Sequence, residues 1–461
     1  MATETLSEFV EATAAEFGIP GVAVGILADG QETVACHGVT GIDDPHPVGP
    51  ETLFQVGSVS KTVTATALMR LVADGRVDLA APVRRYVPEL VLADERAASA
   101  ITVLNLLNHT AGLDWNLLTD TGTGEDALAR FTAELAGLPL IAEPGTRSSY
   151  SQAGYNLAGR IIEKVTGQSY ERAVSALLLE PLDLSRSTFA PDGATAGHLA
   201  EGHNREADGT LSTARQWRPT RANNPGGGLA SSVTDQLRWA AFHLGDGRAP
   251  GGERLLPAEL LGRMRQPTVE LRGSTLGDAL GICWFLRDVD GVRTAGHGGS
   301  GNGQFAELLT VPERDFAVVA LSNAGPDGIL FNQAVVRWAL QTHLGVADRD
   351  PQPLPHDETW ARQVAGHYEI DAMTLTVATD GTGLTLDVRI RPEIRAASET
   401  EIPPDHAPAG LGRLPGREDE YIVTEGGLKG QRGYFTRDEA GTVLGIDLAG
   451  RLFTRTGPVA D

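Results

Sequence analysis

Asp348 to Asp357 (DRDPQPLPHD) places three prolines in ten polar-rich residues, and this stretch constrains the fold more than any other. Each proline fixes its own φ and lacks an N–H donor, so the run can neither continue a helix nor join a sheet interior, and it reads as a stiff linker. A chain of 461 residues is also too long for one small core. The expected organisation is therefore a first unit over residues 1–347, a linker over 348–356 and a second unit over 357–461. The second unit holds short β-patterned runs at Leu384 to Ile390, Tyr421 to Thr424 and Gly433 to Thr436, with turn signals such as Asp380-Gly381 between them. That pattern predicts a small β-barrel or sandwich.

The first unit has a different rhythm. Leu6, Val10, Ala14 and Phe17 fall at helical spacing. Gly21 to Leu27 and Thr33 to His37 then read as strands joined across Ala28-Asp29-Gly30, whose Asp-Gly pair signals a hairpin. A long helical region is expected from about Val59 to Leu244, broken at turns such as Ala111-Gly112 and Pro225 to Gly228. Strand patterns return at Gly281 to Phe285, Gln304 to Val311 and Phe316 to Leu321, before a closing amphipathic helix from Phe331 to Leu344. Strands at both ends of this unit predict one shared sheet with a helical lobe between them, an α+β fold.

A hydrophobic fraction of 41% and a charged fraction of 21% describe a globular chain. The net charge of -22, with no basic run to offset it, argues against nucleic acid or anionic lipid as a partner. The opening residues lack the positive start and apolar run of a signal peptide, and no run is long enough to span a bilayer, so a cytoplasmic protein without membrane contact is expected. Cys36 and Cys283, both in strand-like apolar stretches, suit buried free thiols, with a single disulfide between them left open.

The sharpest chemical motif is Ser58-Val59-Ser60-Lys61, which opens a helical run. Residues three apart share a helix face, so Lys61 can reach the Ser58 hydroxyl more easily than Ser60 can. A helix start also supplies backbone N–H groups where an oxyanion would form. Serine needs a base before it attacks, and a lysine serves only when burial or cationic neighbours disfavour its charge. Two further elements follow at long spacing: Tyr150-Ser151-Gln152 before a helix, and His297-Gly298-Gly299 before a strand.

With these elements the chain resembles the serine β-lactamase and penicillin-binding protein superfamily, in its class C β-lactamase, D-aminopeptidase and carboxylesterase branch. The resemblance spans about residues 5–345 and includes Ile19 to Val24, Leu107 to Leu113 and Gly226 to Leu229. It implies a β-lactamase/transpeptidase-like antiparallel sheet flanked by helices, an all-helical lobe, and an active site in the cleft between them. It makes Ser58 the acylated nucleophile, Lys61 its proton acceptor and Tyr150 the proton shuttle to the leaving group. His297 stands where relatives carry Lys or His, orienting Tyr150 and the substrate. Gly299 keeps the strand edge open, and the Ser300 N–H joins that of Ser58 as an oxyanion hole. The resemblance of residues 357–461 to a lipocalin is much fainter.

One position departs from the pattern. Gln152 replaces the usual Asn, so its amide either contacts lysine and substrate from a longer arm or only fills space, which puts efficient β-lactam hydrolysis in doubt. Gly296 to Gly301 fits G-x-G-x-x-G but precedes a strand rather than a helix, so no dinucleotide cofactor is expected. His198 and His203 lack partners at metal-ligand spacing, and no metal is expected. His109 reads as a structural histidine, as do His367 and Tyr368, while Trp115, Trp217, Trp239 and Trp284 suit a core or a cleft wall. The β unit carries no recognisable catalytic element and is expected only to shape the cleft.

The expected function is a serine hydrolase acting on an ester or amide of a small-molecule or peptide substrate, such as a D-amino-acid peptide. A biosynthetic acyltransferase or peptide cyclase and a non-catalytic sensor remain as alternatives, with the oligomeric state open.

Overall fold

The computed structural model describes residues 4–113, 120–138, 140–189, 199–206, 208–214, 220–397, 405, 407–416 and 419–458. Helix α1 (Leu6–Phe17) starts at a capping box between Thr5 and Glu8, and Leu6, Val10 and Ala14 are buried as their spacing predicts. Strands β1 (Gly21–Ala28) and β2 (Gln31–Gly38) pair across Asp29 and Gly30, both with positive φ, the conformation a two-residue hairpin needs.

The remaining strands of this sheet come from far along the chain: β3 (Val269–Ser274), β4 (Gly277–Leu280), β5 (Phe285–Val289), β6 (Val292–Gly301), β7 (Gln304–Val311) and β8 (Phe316–Ser322). They form one antiparallel sheet of order β2-β1-β8-β7-β6-β5-β4-β3. Val22, Val24 and Ile26 of β1 pack with α1 and with α5 (Gly328–Ala339) on one face. Ala23 and Leu27 turn to the other face, toward α4 (Val233–Leu244) and the helical lobe. That lobe holds α2 (Ser60–Ala73) and α3 (Gln152–Thr166), both buried over most of their length. Short strands such as Ser187–Thr188 and Ala230–Ser231 interrupt the helical region.

Gly281 to Phe285, expected as a strand, is instead largely the connection between β4 and β5, closed by Gly281 N–H donating to Trp284 O at 2.8 Å. Cys283 adopts φ 75° there and donates its N–H to Leu107 O at 3.0 Å. The run is apolar because the turn is buried against the helical lobe, not because it is extended. Both cysteines are free.

After residues 345–357, eight strands close into a barrel: β9 (Gly366–Glu369), β10 (Met373–Thr379), β11 (Leu384–Ile390), β12 (Ala409–Arg413), β13 (Glu420–Val423), β14 (Arg432–Arg437), β15 (Val443–Leu448) and β16 (Arg451–Gly457). Pairing of β9 with β16 completes the ring. Closure removes exposed sheet edges. Tyr368, Tyr421 and Phe435 fill its interior, so the barrel is a packed core. Among the described residues no helix is long and apolar enough to cross a membrane.

Candidate active site

Ser58 lies in a 3-10 turn, Gly57–Val59, that runs directly into α2. It is half-buried, whereas Ser60 and Lys61 are fully buried. Ser60 is committed to structure: its hydroxyl donates to Gly57 O at 2.6 Å and accepts from Leu229 N at 3.0 Å. Lys61 Nζ lies 3.2 Å from Ser58 Oγ, 2.7 Å from Gln152 Oε1 and 2.6 Å from Gly226 O.

These three neighbours satisfy the amine in either protonation state. An ammonium donates to all three, while a neutral amine donates to Gln152 and Gly226 and turns its lone pair to the Ser58 hydroxyl. Burial pushes the Lys61 pKa down to about 7, opposed by Cys283 and assisted by the Arg451 cation. Gln152 therefore contacts the lysine despite its longer arm. Its Nε2 donates to Asn156 Oδ1 at 3.2 Å, which orients the amide. Space for the arm comes from Gly226, where a Cβ would stand 1.5 Å from Gln152 Nε2. The short helical turn Asn224–Gly227 that carries Gly226 is held in place by Thr64 Oγ1 donating to Pro225 O at 2.6 Å and Asn224 Nδ2 donating to Glu171 Oε1 at 2.8 Å.

Tyr150 precedes α3 and is buried, and burial raises its phenol pKa while a hydrogen bond to Ser58 lowers it. Lys61 Nζ stands 4.8 Å from the centre of its ring. His109, read as structural, lies against Tyr150 with ring centres 4.4 Å apart. It adopts φ 59°, and its Nδ1 accepts the Ser151 N–H at 3.0 Å.

His297, on β6, stacks on Phe285 at 4.2 Å, with its ring centre 6.3 Å from that of Tyr150. Its Nδ1 is 2.7 Å from Gly298 O, so Nδ1 carries the proton and Nε2 is an acceptor. That Nε2 is buried and, among the described residues, has no hydrogen-bond partner. Burial and the Lys61 charge hold the imidazole pKa down to about 3, so it is neutral at ordinary pH. Gly299 brings β6 against the Ser58 turn: a Cβ there would lie 2.0 Å from Val56 O and 2.8 Å from Ser58 N. Ser300 follows on the exposed end of the strand.

The structure thus brings Ser58, Lys61, Tyr150, Gln152, His297, Gly299 and Ser300 to one place. Other candidates fall outside it. His203 is buried, with Nε2 accepting from Ile42 N at 3.2 Å and Nδ1 2.7 Å from Asn323 O. Trp239 donates from Nε1 to Thr62 Oγ1 at 3.0 Å and, like Trp284, belongs to the core. Tyr368 donates to Val364 O inside the barrel, and His367 is exposed. His198, Trp115 and Trp217 lie outside the described residues. Among the described residues no three His, Cys, Asp or Glu side chains converge as metal ligands.

Sequence reasoning missed Arg451. Its guanidinium lies 5.2 Å from the Tyr150 ring centre, although it belongs to barrel strand β16. No motif marks it; the only local signal is the turn residue Gly450 before it.

The chain is 35% identical over 321 residues to penicillin-binding protein 4 of Amycolatopsis lactamdurans, a match covering 69% of this chain and 84% of that protein. The solved structure of SurE superposes with a TM-score of 0.74 at 25% identity over 98% of each chain. SurE with D-Leu gives 0.71 at 25% identity over 97% of each. The Beta-lactamase family model matches residues 6–339, and with the Ser58 turn, buried Lys61 and β6 inside that span, the chain belongs to the beta-lactamase family.

Proposed function

We propose that this protein is a serine hydrolase that opens an ester or amide of a D-amino-acid peptide or related compound through an acyl-enzyme on Ser58. The observation that carries the reading is the seating of Lys61 against Ser58, Gln152 and Gly226, which suits a lysine to accept and return one proton without rearrangement. Neutral Lys61 takes the Ser58 proton as Oγ attacks the carbonyl, and the oxyanion forms against the N–H groups of Ser58 and Ser300. Tyr150, hydrogen-bonded to Ser58, delivers the proton to the leaving group. Water, oriented by the acceptor Nε2 of His297, then attacks the acyl carbonyl and gives its proton to the same relay; the bond from the acyl carbon to Ser58 Oγ breaks, the relay returns the proton to Oγ, and the free acid leaves.

A second reading has an amine take the acyl group in place of water. It is favoured by the structure of SurE with D-Leu, a protein that matches this chain over 97% of each. The neutral His297 acceptor also suits an incoming N–H.

The deciding experiment offers D-peptide, ester and thioester substrates with and without added D-amino acid, and identifies products by mass. Free acid alone supports the hydrolase; amide products support the transferase. Full turnover in Ser58→Ala overturns both. Ester turnover should exceed nitrocefin turnover, because neutral His297 offers a β-lactam carboxylate no charge; rapid nitrocefin hydrolysis would count against this substrate assignment.

A further inference from the structure

The residues before α3 have little secondary structure of their own, so their backbone donors must be satisfied from elsewhere. Ser149 N–H donates to His109 O at 2.9 Å, and Ser151 N–H donates to His109 Nδ1 at 3.0 Å. The donor between them belongs to Tyr150, and it goes to Gly450 O in the barrel at 2.8 Å. A second bond runs beside it, with Leu452 N–H donating to Ser149 Oγ at 3.3 Å.

The acceptor lies in the two-residue turn between β15 and β16, where Leu448 pairs with Arg451 and Ala449 and Gly450 have φ of 52° and 73°. The turn is seated firmly. A Cβ on Gly450 would lie 2.1 Å from Leu276 Cδ1, in the turn between β3 and β4. The neighbouring Thr275 donates its N–H to Arg432 O on β14 at 3.0 Å and accepts the Arg432 N–H at 2.9 Å.

We propose that the Leu448–Arg451 turn of the barrel is a positioning element of the acyl-transfer site, holding the Tyr150 main chain and setting a cation beside its ring so that the phenol stays within reach of Ser58. The proposal rests on the reading that Tyr150 relays protons. The barrel then does more than shape the cleft: it supplies the third support of a segment whose other two come from His109. The Arg451 cation adds an electrostatic part, since it disfavours the Lys61 ammonium and favours a tyrosinate, the two states the relay visits.

The test uses the full-length chain with Arg451→Met, Arg451→Lys and Ser149→Ala, measuring kcat, KM and the pH profile with a p-nitrophenyl ester. Arg451→Met should lower kcat by about 10- to 100-fold, with KM changed far less, because a displaced acid–base group loses rate before binding. Its acid limb should move to higher pH, since Lys61 keeps its proton longer, and Arg451→Lys should restore part of both effects. Ser149→Ala should lower kcat several-fold without moving the limb. An unchanged kcat and limb in folded Arg451→Met, or a loss confined to KM, would overturn the proposal. If Arg451→Met does not fold, full kcat in Arg451→Lys and Ser149→Ala overturns it instead. Near-normal turnover in Tyr150→Phe would remove the underlying relay, whereas strict dependence on Ser58 and Tyr150 with indifferent Arg451 and Ser149 removes only the positioning role.

Discussion

Lys61 is the most buried charge-bearing group at the site, and its burial has a direct kinetic consequence. Only the neutral amine can take the Ser58 proton, so activity should rise as pH increases through about 7. His297 is already neutral above about 3, and the Tyr150 pKa is raised, so neither adds a limb within the working range. A kcat/KM profile with its limb near pH 5 would contradict the assignment of Lys61 as base. Close approach at two glycines gives a second prediction. Gly299→Ala would force β6 away from Val56 and Ser58, and losing one oxyanion donor costs about 100- to 1,000-fold in kcat. Gly226→Ala would push the Gln152 amide off Lys61, and a misplacement of about 1 Å can cost about 100-fold. Steady-state kinetics with melting curves would separate these effects from unfolding. The contact of Lys61 with Ser58 was legible in sequence, because the i, i+3 offset is local geometry. The other partners of Lys61 were not, since Gly226 O is a backbone atom 165 residues away.

At the level of elements, the first hairpin was plain in sequence because Asp29-Gly30 specifies its turn and alternating faces of β1 meet two different layers. Gly281 to Phe285 was misread because a buried turn and a buried strand share the same apolar composition. Barrel strands carried weaker signals, and the ion pair buried beside the apolar barrel core carried none. Asp419, with φ 72° and 5% exposure, binds Arg437 through Nε at 2.7 Å and Nη2 at 2.8 Å and accepts Trp360 Nε1–H at 2.9 Å. Breaking such a buried pair on one side leaves an uncompensated charge, so Arg437→Met should destabilise the barrel by about 3–5 kcal/mol. Denaturant unfolding followed at Trp360 would register it; a change below about 1 kcal/mol, the value of a surface pair, would show the pair to be solvated.

Over the whole molecule, the sheet order sets sequence neighbours apart and distant segments together. Composition and periodicity could indicate that both ends of the first unit share a sheet, but not that a barrel turn would reach Tyr150, since that docking depends on shape rather than on pattern. The same topology has a consequence for synthesis. Gly21 N–H waits for Asn323 Oδ1, 302 residues later, and Ser149 Oγ waits for Leu452 N–H, 303 residues later. Bringing such distant segments together is slow because the loops between them must close first. A ribosome making this chain from its first residue therefore releases the serine, lysine and tyrosine long before the strands and turn that frame them. On the proposed positioning role, a chain truncated before the last barrel hairpin keeps the Ser58–Lys61 contact but leaves the Tyr150 main chain without its barrel acceptor and its neighbouring cation.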